Sequence, residues 1–151
     1  MGDIERTDKN KNFEKALDYY YKVCILNPDK SDVYFKIGFC YEKIKNYDEA
    51  ITNYKKTIRR NPKNFIAHKN LAMCYLRFGD RNRGLASLLD AHKLNNKDIE
   101  IILKLADIYS KDETKLAEAE SFIRKALALN PDLPETIVSL GKLYEKQGKY
   151  D

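Results

Sequence analysis

Four ten-residue stretches carry the same order of apolar and polar positions: YFKIGFCYEK (34–43), HKNLAMCYLR (68–77), ILKLADIYSK (102–111) and IVSLGKLYEK (137–146). Within each, apolar side chains fall three and four residues apart, the spacing that lines one face of an α-helix. A small residue recurs at Gly38, Ala72, Ala106 and Gly141, and a tyrosine follows it at Tyr41, Tyr75, Tyr109 and Tyr144. The small residue suits a place where two helices cross too closely for a side chain to fit between them. The tyrosine brings a large apolar ring and a hydroxyl that needs a partner.

A second helical pattern alternates with the first. Ala16, Tyr20 and Pro28 are spaced by four and then eight residues, as are Ala50, Tyr54 and Pro62, and Ala119, Ile123 and Pro131. Gly84, Leu88 and Asn96 form a weaker copy. Ala16 to Ala50 and Ala50 to Gly84 are steps of 34 residues, and Gly84 to Ala119 is a step of 35. A fixed period of this size marks stacked repeats, each one helix pair. The turns agree. Lys45-Asn46, Gly79-Asp80 and Gln147-Gly148 follow the first helix of a pair, with Gly or Asn suited to left-handed backbone. Asn27-Pro28-Asp29, Asn61-Pro62-Lys63 and Asn130-Pro131-Asp132 end the second helix, which proline cannot continue. Asn95-Asn96-Lys97 lacks the proline, and Asp112-Glu113-Thr114 holds the extra residue.

These residues resemble the tetratricopeptide repeat, whose order of aromatic, Leu-Gly, Tyr, Ala, aromatic and Pro is matched in residues 31–64 by Tyr34, Ile37-Gly38, Tyr41, Ala50, Tyr54 and Pro62. The resemblance runs from about residue 12 to Asp151. It implies an all-α fold, a right-handed α-α superhelix (solenoid) of about four helix-turn-helix repeats and eight helices. The expected segments are a polar leader or connecting loop over 1–11, a second helix of a first repeat over 12–30, repeats at 31–64, 65–98 and 99–133, and the first helix of a last repeat over 134–151. The repeat-packing residues are then Gly38, Tyr41, Ala50, Tyr54, Ala72, Tyr75, Ala106, Tyr109, Ala119, Gly141 and Tyr144. Both ends lack the polar caps of a closed solenoid, so the chain reads as a fragment of a longer array, or as one whose raw ends self-associate.

Composition changes this picture little. Of 151 residues 43% are apolar, 34% are charged, and only 6 Gly and 4 Pro are present, which favours helices over a turn-rich β fold. No apolar run approaches a membrane span and no signal peptide is visible, so the expected location is cytoplasmic. A net charge of +5 constrains the partner weakly. Cys24, Cys40 and Cys74 are odd in number and widely spaced, which speaks against disulfides and zinc sites. Cys40 and Cys74 read as small buried groups, and His68 as packing. GDRNRGLA (79–86) has two spaced glycines, but Leu85-Ala86 stand where a phosphate loop needs Lys-Ser/Thr. No nucleophile, base and orienting group can be assembled, so neither an enzyme nor a cofactor is expected.

The resemblance places the ligand surface on the first helix of each pair, which lines a concave groove. The slots there are Phe35, Lys36, Phe39, Lys69, Asn70, Met73, Leu103, Lys104 and Asp107, followed by Val138, Ser139 and Lys142. Phe35, Phe39 and Met73 with flanking lysines suit an amphipathic helix or an apolar segment with acidic flanks. Packing of Phe35 and Phe39 against a neighbouring helix is the alternative. Chaperone-tail binders of this family grip a terminal carboxylate with Lys, Asn, Asn, Lys and Arg; the matching positions are Phe35, Phe39, Asn70, Glu100 and Lys104, of which only Asn70 agrees outright and Lys104 conservatively, while Glu100 reverses the charge. The asparagine ladder of sugar-transferase arrays is also missing, with Lys36, Lys104 and Ser139 in its place. Lys55, Lys56, Arg59, Arg60 and Lys63 form a basic outer cluster without interleaved exposed aromatics, so nucleic acid is a weaker expectation. The expected function is a protein-interaction scaffold that binds a peptide or helix, with no small-molecule substrate. The alternatives are a regulatory or targeting segment of a larger enzyme or transport complex, or weak binding of an anionic surface or nucleic acid.

Overall fold

The computed structural model describes the backbone of residues 2–148 and the side chains of 10–148. Among the described residues eight α-helices follow one another: α1 (Gly2–Leu26), α2 (Ser31–Lys43), α3 (Tyr47–Arg60), α4 (Phe65–Phe78), α5 (Arg81–Leu94), α6 (Ile99–Tyr109), α7 (Leu116–Leu129) and α8 (Pro134–Gln147). A 3-10 turn, Glu113–Lys115, precedes α7 and takes up the extra residue of its repeat. There Asp112 accepts hydrogen bonds from Thr114 N (3.0 Å) and Thr114 Oγ1 (2.6 Å), which hold its carboxyl below the usual range.

The starts of α3, α4, α5 and α6 share one device. Asn46, Asn64, Asp80 and Asp98 each accept a hydrogen bond from the backbone N–H three residues on, at 3.3, 3.0, 2.9 and 3.0 Å. Each satisfies a donor that the first turn leaves without an intrahelical partner. At the ends, Gly79 and Gly148 adopt φ of 96° and 66°, as expected of glycine after a helix. In the first such turn Lys45, rather than Asn46, takes the left-handed conformation, with φ of 65°. Asn46 is already engaged as the cap of α3, so the strained position falls one residue earlier.

One expected segment differs. The backbone is helical from Gly2, through residues whose polar, aperiodic pattern suggested a leader or loop. Residues 3–11 hold no Gly or Pro, and extending an anchored helix costs far less than nucleating a new one. Met1 and residues 149–151, the end of the last expected segment, lie outside the described residues.

The chain divides into two compact units, Met1–Ser87 and Leu88–Asp151. In the first, Leu17, Val33, Ile37 and Cys40 form a buried cluster between α1 and α2. A second cluster, Ala50, Ile51, Tyr54, Leu71, Cys74 and Tyr75, joins α3 and α4, and the half-buried Tyr41 packs against both. In the second unit Ala106, Ala119, Ile123 and Leu143 join α6, α7 and α8.

The small residues explain the closeness of these contacts. A Cβ on Gly38 would lie 3.0 Å from Cδ1 and Cε1 of Tyr54. A Cβ on Gly84 would lie 2.6 Å from Leu76 Cδ2, which accounts for glycine where the other repeats carry alanine. Gly141 is exposed and open, because among the described residues no helix follows α8 to cross it.

Candidate functional site

The repeat tyrosines bind neighbouring helices together. Tyr54 is fully buried; its hydroxyl donates to Glu42 Oε2 (2.8 Å) and accepts from Asn70 Nδ2 (3.1 Å), so one side chain of α3 ties α2 to α4. Arg77 stands 3.8 Å from the other oxygen of Glu42. Burial, then the adjacent carboxylate, push the Tyr54 phenol up. The tyrosine near the end of α2, α4 and α8 meets one slot of the preceding helix, five residues past its small residue. Tyr41 Oη lies 3.0 Å from Tyr21 Oη, Lys55 Nζ lies 5.6 Å from the Tyr75 ring centre, and Arg124 Nη2 donates to Tyr144 Oη at 2.8 Å. Tyr109 instead stacks on Phe122, with ring centres 5.6 Å apart. Ala50, Ala72 and Ala119 are wholly buried, and Ala106 nearly so.

On the expected binding face of the first unit, α2 and α4 place the named residues unequally. Phe35 is half-buried, its ring centre 5.6 Å from that of Tyr54, so it belongs in part to the core. Phe39 is 38% exposed, meets Phe13 of α1 edge-on at 6.4 Å, and carries Lys43 Nζ 4.8 Å above its ring. Lys36 is exposed and reaches to 5.7 Å from the Tyr20 ring. Lys69 and Met73 are half-buried, and the Asn70 amide is engaged by Tyr54. The face therefore combines one exposed aromatic ring with several ammonium groups.

In the second unit, Leu103 and Lys104 line a cleft of about 500 Å³ between α6 and α8, with Ile99, Leu133, Glu100 and Glu135. A smaller cavity of about 200 Å³ adjoins it toward the other end of both helices, beside Lys111, Lys142 and Lys146. Asp107 and Ser139 line both. Val138, one of the follow-on slots, is 54% exposed.

In the basic cluster of α3, Arg60 and Lys56 sit 4.3 and 5.6 Å from the ring centre of Tyr34, which is half-buried. Tyr34 comes from α2, a neighbour in space but distant along the chain. None of Lys55, Lys56, Arg59, Arg60 and Lys63 pairs with a carboxylate among the described residues.

The thiols and imidazoles have structural surroundings. Burial, followed by the Glu42 carboxylate, pushes Cys74 up to about 12, and burial raises Cys40, so neither is an activated nucleophile. His68 Nε2 donates to the Pro62 carbonyl at 3.0 Å and fastens the α3–α4 linker. His92 Nε2 accepts from Lys125 Nζ at 3.0 Å, and its ring stands edge-on to Phe122. Burial and Lys125 together lower its basicity. Among the described residues no cluster of three His, Cys, Asp or Glu stands together as a metal site, and no helix is long and apolar enough to cross a membrane.

Comparison with known proteins agrees with this architecture. Three family models, each described as a tetratricopeptide repeat, match residues 31–64, 53–85 and 99–133, together more than half of the chain. The mouse Protein O-mannosyl-transferase TMTC3 is 28% identical over 142 residues, which is 94% of this chain and 13% of that protein. The chain thus spans only a small part of that relative's length. The crystal structure of MamA superposes with a TM-score of 0.83 at 23% identity, covering 99% of this chain and 85% of that one. The first TPR of Spaghetti (RPAP3), bound to the HSP90 peptide SRMEEVD, superposes with a TM-score of 0.70 at 25% identity, over 79% of this chain and 94% of that one. The matched repeats, eight helices and recurring tyrosine contacts have one source: the chain belongs to the tetratricopeptide repeat family.

Proposed function

We propose that this chain is a non-catalytic, cytoplasmic protein-interaction scaffold that holds a peptide or helix against α2 and α4, and against α6 and α8. The observation that carries the reading is Phe39, a large ring left 38% exposed on the binding face with Lys43 above it. Lys36, Lys69 and Met73 share that face with it. An exposed apolar anchor with a basic rim suits an apolar segment flanked by carboxylates. The peptide held by the first TPR of Spaghetti (RPAP3) supports a protein partner. A grip on a terminal carboxylate is not part of the proposal, because Phe35, Phe39 and Glu100 stand at its slots and Asn70 is engaged by Tyr54.

The test is affinity capture from lysate, comparing wild type with a Phe39→Glu, Met73→Glu double variant at two salt concentrations. A partner kept by wild type alone at high salt, with equal helicity in both proteins, is the expected result. Equal capture that collapses with salt would move the function to the α3 cations, a second reading favoured by their lack of carboxylate partners. The match to a small part of a transferase favours a further reading, a regulatory or targeting segment of a larger enzyme. That reading is compatible with the same surface.

A further inference from the structure

The face between α6 and α8 is polarised along its length. At one end Glu100 and Glu135 flank an apolar floor of Ile99, Leu103 and Leu133; Lys104 beside them leaves that end net negative. At the other end Lys111, Lys142 and Lys146 surround the smaller cavity. Lys111 is paired with Asp107 at 2.8 Å, and Lys146 donates to the Ser110 carbonyl at 2.9 Å. Lys142 is exposed and makes no ion pair or hydrogen bond among the described residues. The cleft is lined by the early residues of both helices and the smaller cavity by their later residues, so α6 and α8 run side by side in one direction. Glu135 to Lys142 is a step of seven residues, a rise of about 10 Å along α8.

From this we infer that the α6–α8 face takes an extended protein segment of about four residues, with a basic residue at one end, an apolar side chain in the middle and an acidic residue at the other. An extended strand advances about 3.3 Å per residue, so two residues about three apart span the distance between the two charged ends. The basic residue meets Glu100 and Glu135, the apolar side chain enters between Leu103 and Leu133, and the acidic residue meets Lys142. Acid early and lysine late also complement the dipole of each helix, but a dipole requires neither the apolar floor nor the adjoining cavities. The assignment rests on the proposal that this surface binds protein, and it names the partner's charge order.

The test is a displayed library of random octapeptides panned against the full chain, with enriched peptides resynthesised and titrated by fluorescence polarisation. The expected peptides carry opposite charges about three residues apart around an apolar residue. Lys142→Glu, at an exposed side chain, should weaken them tenfold or more with helicity unchanged, and reversing the peptide's acidic residue should restore binding. Peptides lost on Lys142→Glu but indifferent to Glu135→Lys would make this a plain anion site and overturn the inference. Peptides without the charge order, lost only on Phe39→Glu with Met73→Glu, would overturn it and leave the broader reading standing. A wild type that retains no more peptide than Lys142→Glu would also overturn it, while the lysate experiment judges the broader reading separately.

Discussion

Gly38 and Gly141 hold the same slot in α2 and α8, yet replacing each by alanine should have opposite effects. Inside a helix alanine is favoured over glycine by about 0.8–1.0 kcal/mol. At Gly141 a Cβ meets nothing within 4 Å, so Gly141→Ala keeps the whole gain, about 1 kcal/mol. At Gly38 the new atom would stand 3.0 Å from two ring carbons of Tyr54 and 3.3 Å from the Ala50 carbonyl oxygen. The favourable separation of two carbons is about 3.5–4.0 Å. The ring is hard to displace, because Tyr54 is fully buried, packs on Phe35 and is tethered through its hydroxyl to Glu42 and Asn70. The helices must then move apart, and overpacking of this kind costs about 1–3 kcal/mol. Subtracting the helix-propensity gain leaves Gly38→Ala destabilising by roughly 1 kcal/mol. Gly38→Leu should cost more. Because the glycines lie in different compact units, the assay is amide hydrogen exchange read separately in α2 and α8, beside melts followed by circular dichroism. Equal stabilisation by the two alanines would refute the argument, since it would mean that the α2–α3 crossing yields freely.

Two further changes test the turn and the imidazole. Lys45→Gly should relieve the left-handed residue and stabilise by about 0.5–1 kcal/mol, while Asn46→Ala next to it should cost about 1 kcal/mol through loss of the α3 cap; urea denaturation of both separates the roles. His92 is less basic folded than unfolded, so protonation favours the unfolded chain: its contribution is present above about pH 6.5 and is lost as the pH falls below that value. A melting temperature that drops between pH 7.5 and 5.5 in wild type, and drops less in His92→Gln, is the expected result; equal drops would refute it.

Much of the fold is legible in the sequence because the repeat writes its packing rules several times. Small residue, tyrosine and proline recur at fixed offsets, and each offset has a steric meaning that a single chain can reveal. Exceptions arise where spatial neighbours decide. Gly84 departs from alanine because Leu76 lies over it, and nothing in the local sequence announces that. Lys45 takes the strained turn position because Asn46 is engaged elsewhere. The binding face was harder to read. Phe35 and Phe39 look alike by helical position, but one rests on Tyr54 while the other stays partly exposed. The polarity of the α6–α8 face emerges only when two helices 35 residues apart in sequence are set side by side.

The slot shared by the repeat tyrosines also bears on how the joins between helices respond to their surroundings. Position is the same each time, but chemistry is not: a hydroxyl meets a hydroxyl at Tyr41, an ammonium meets a ring at Tyr75, and a guanidinium meets a hydroxyl beside Glu120 at Tyr144. Ions in solution weaken charged contacts at an exposed edge and leave neutral ones nearly untouched. Brine would therefore loosen the seam of α7 with α8 before that of α1 with α2. Seams of identical shape can thus be tuned one at a time, by a single side chain each.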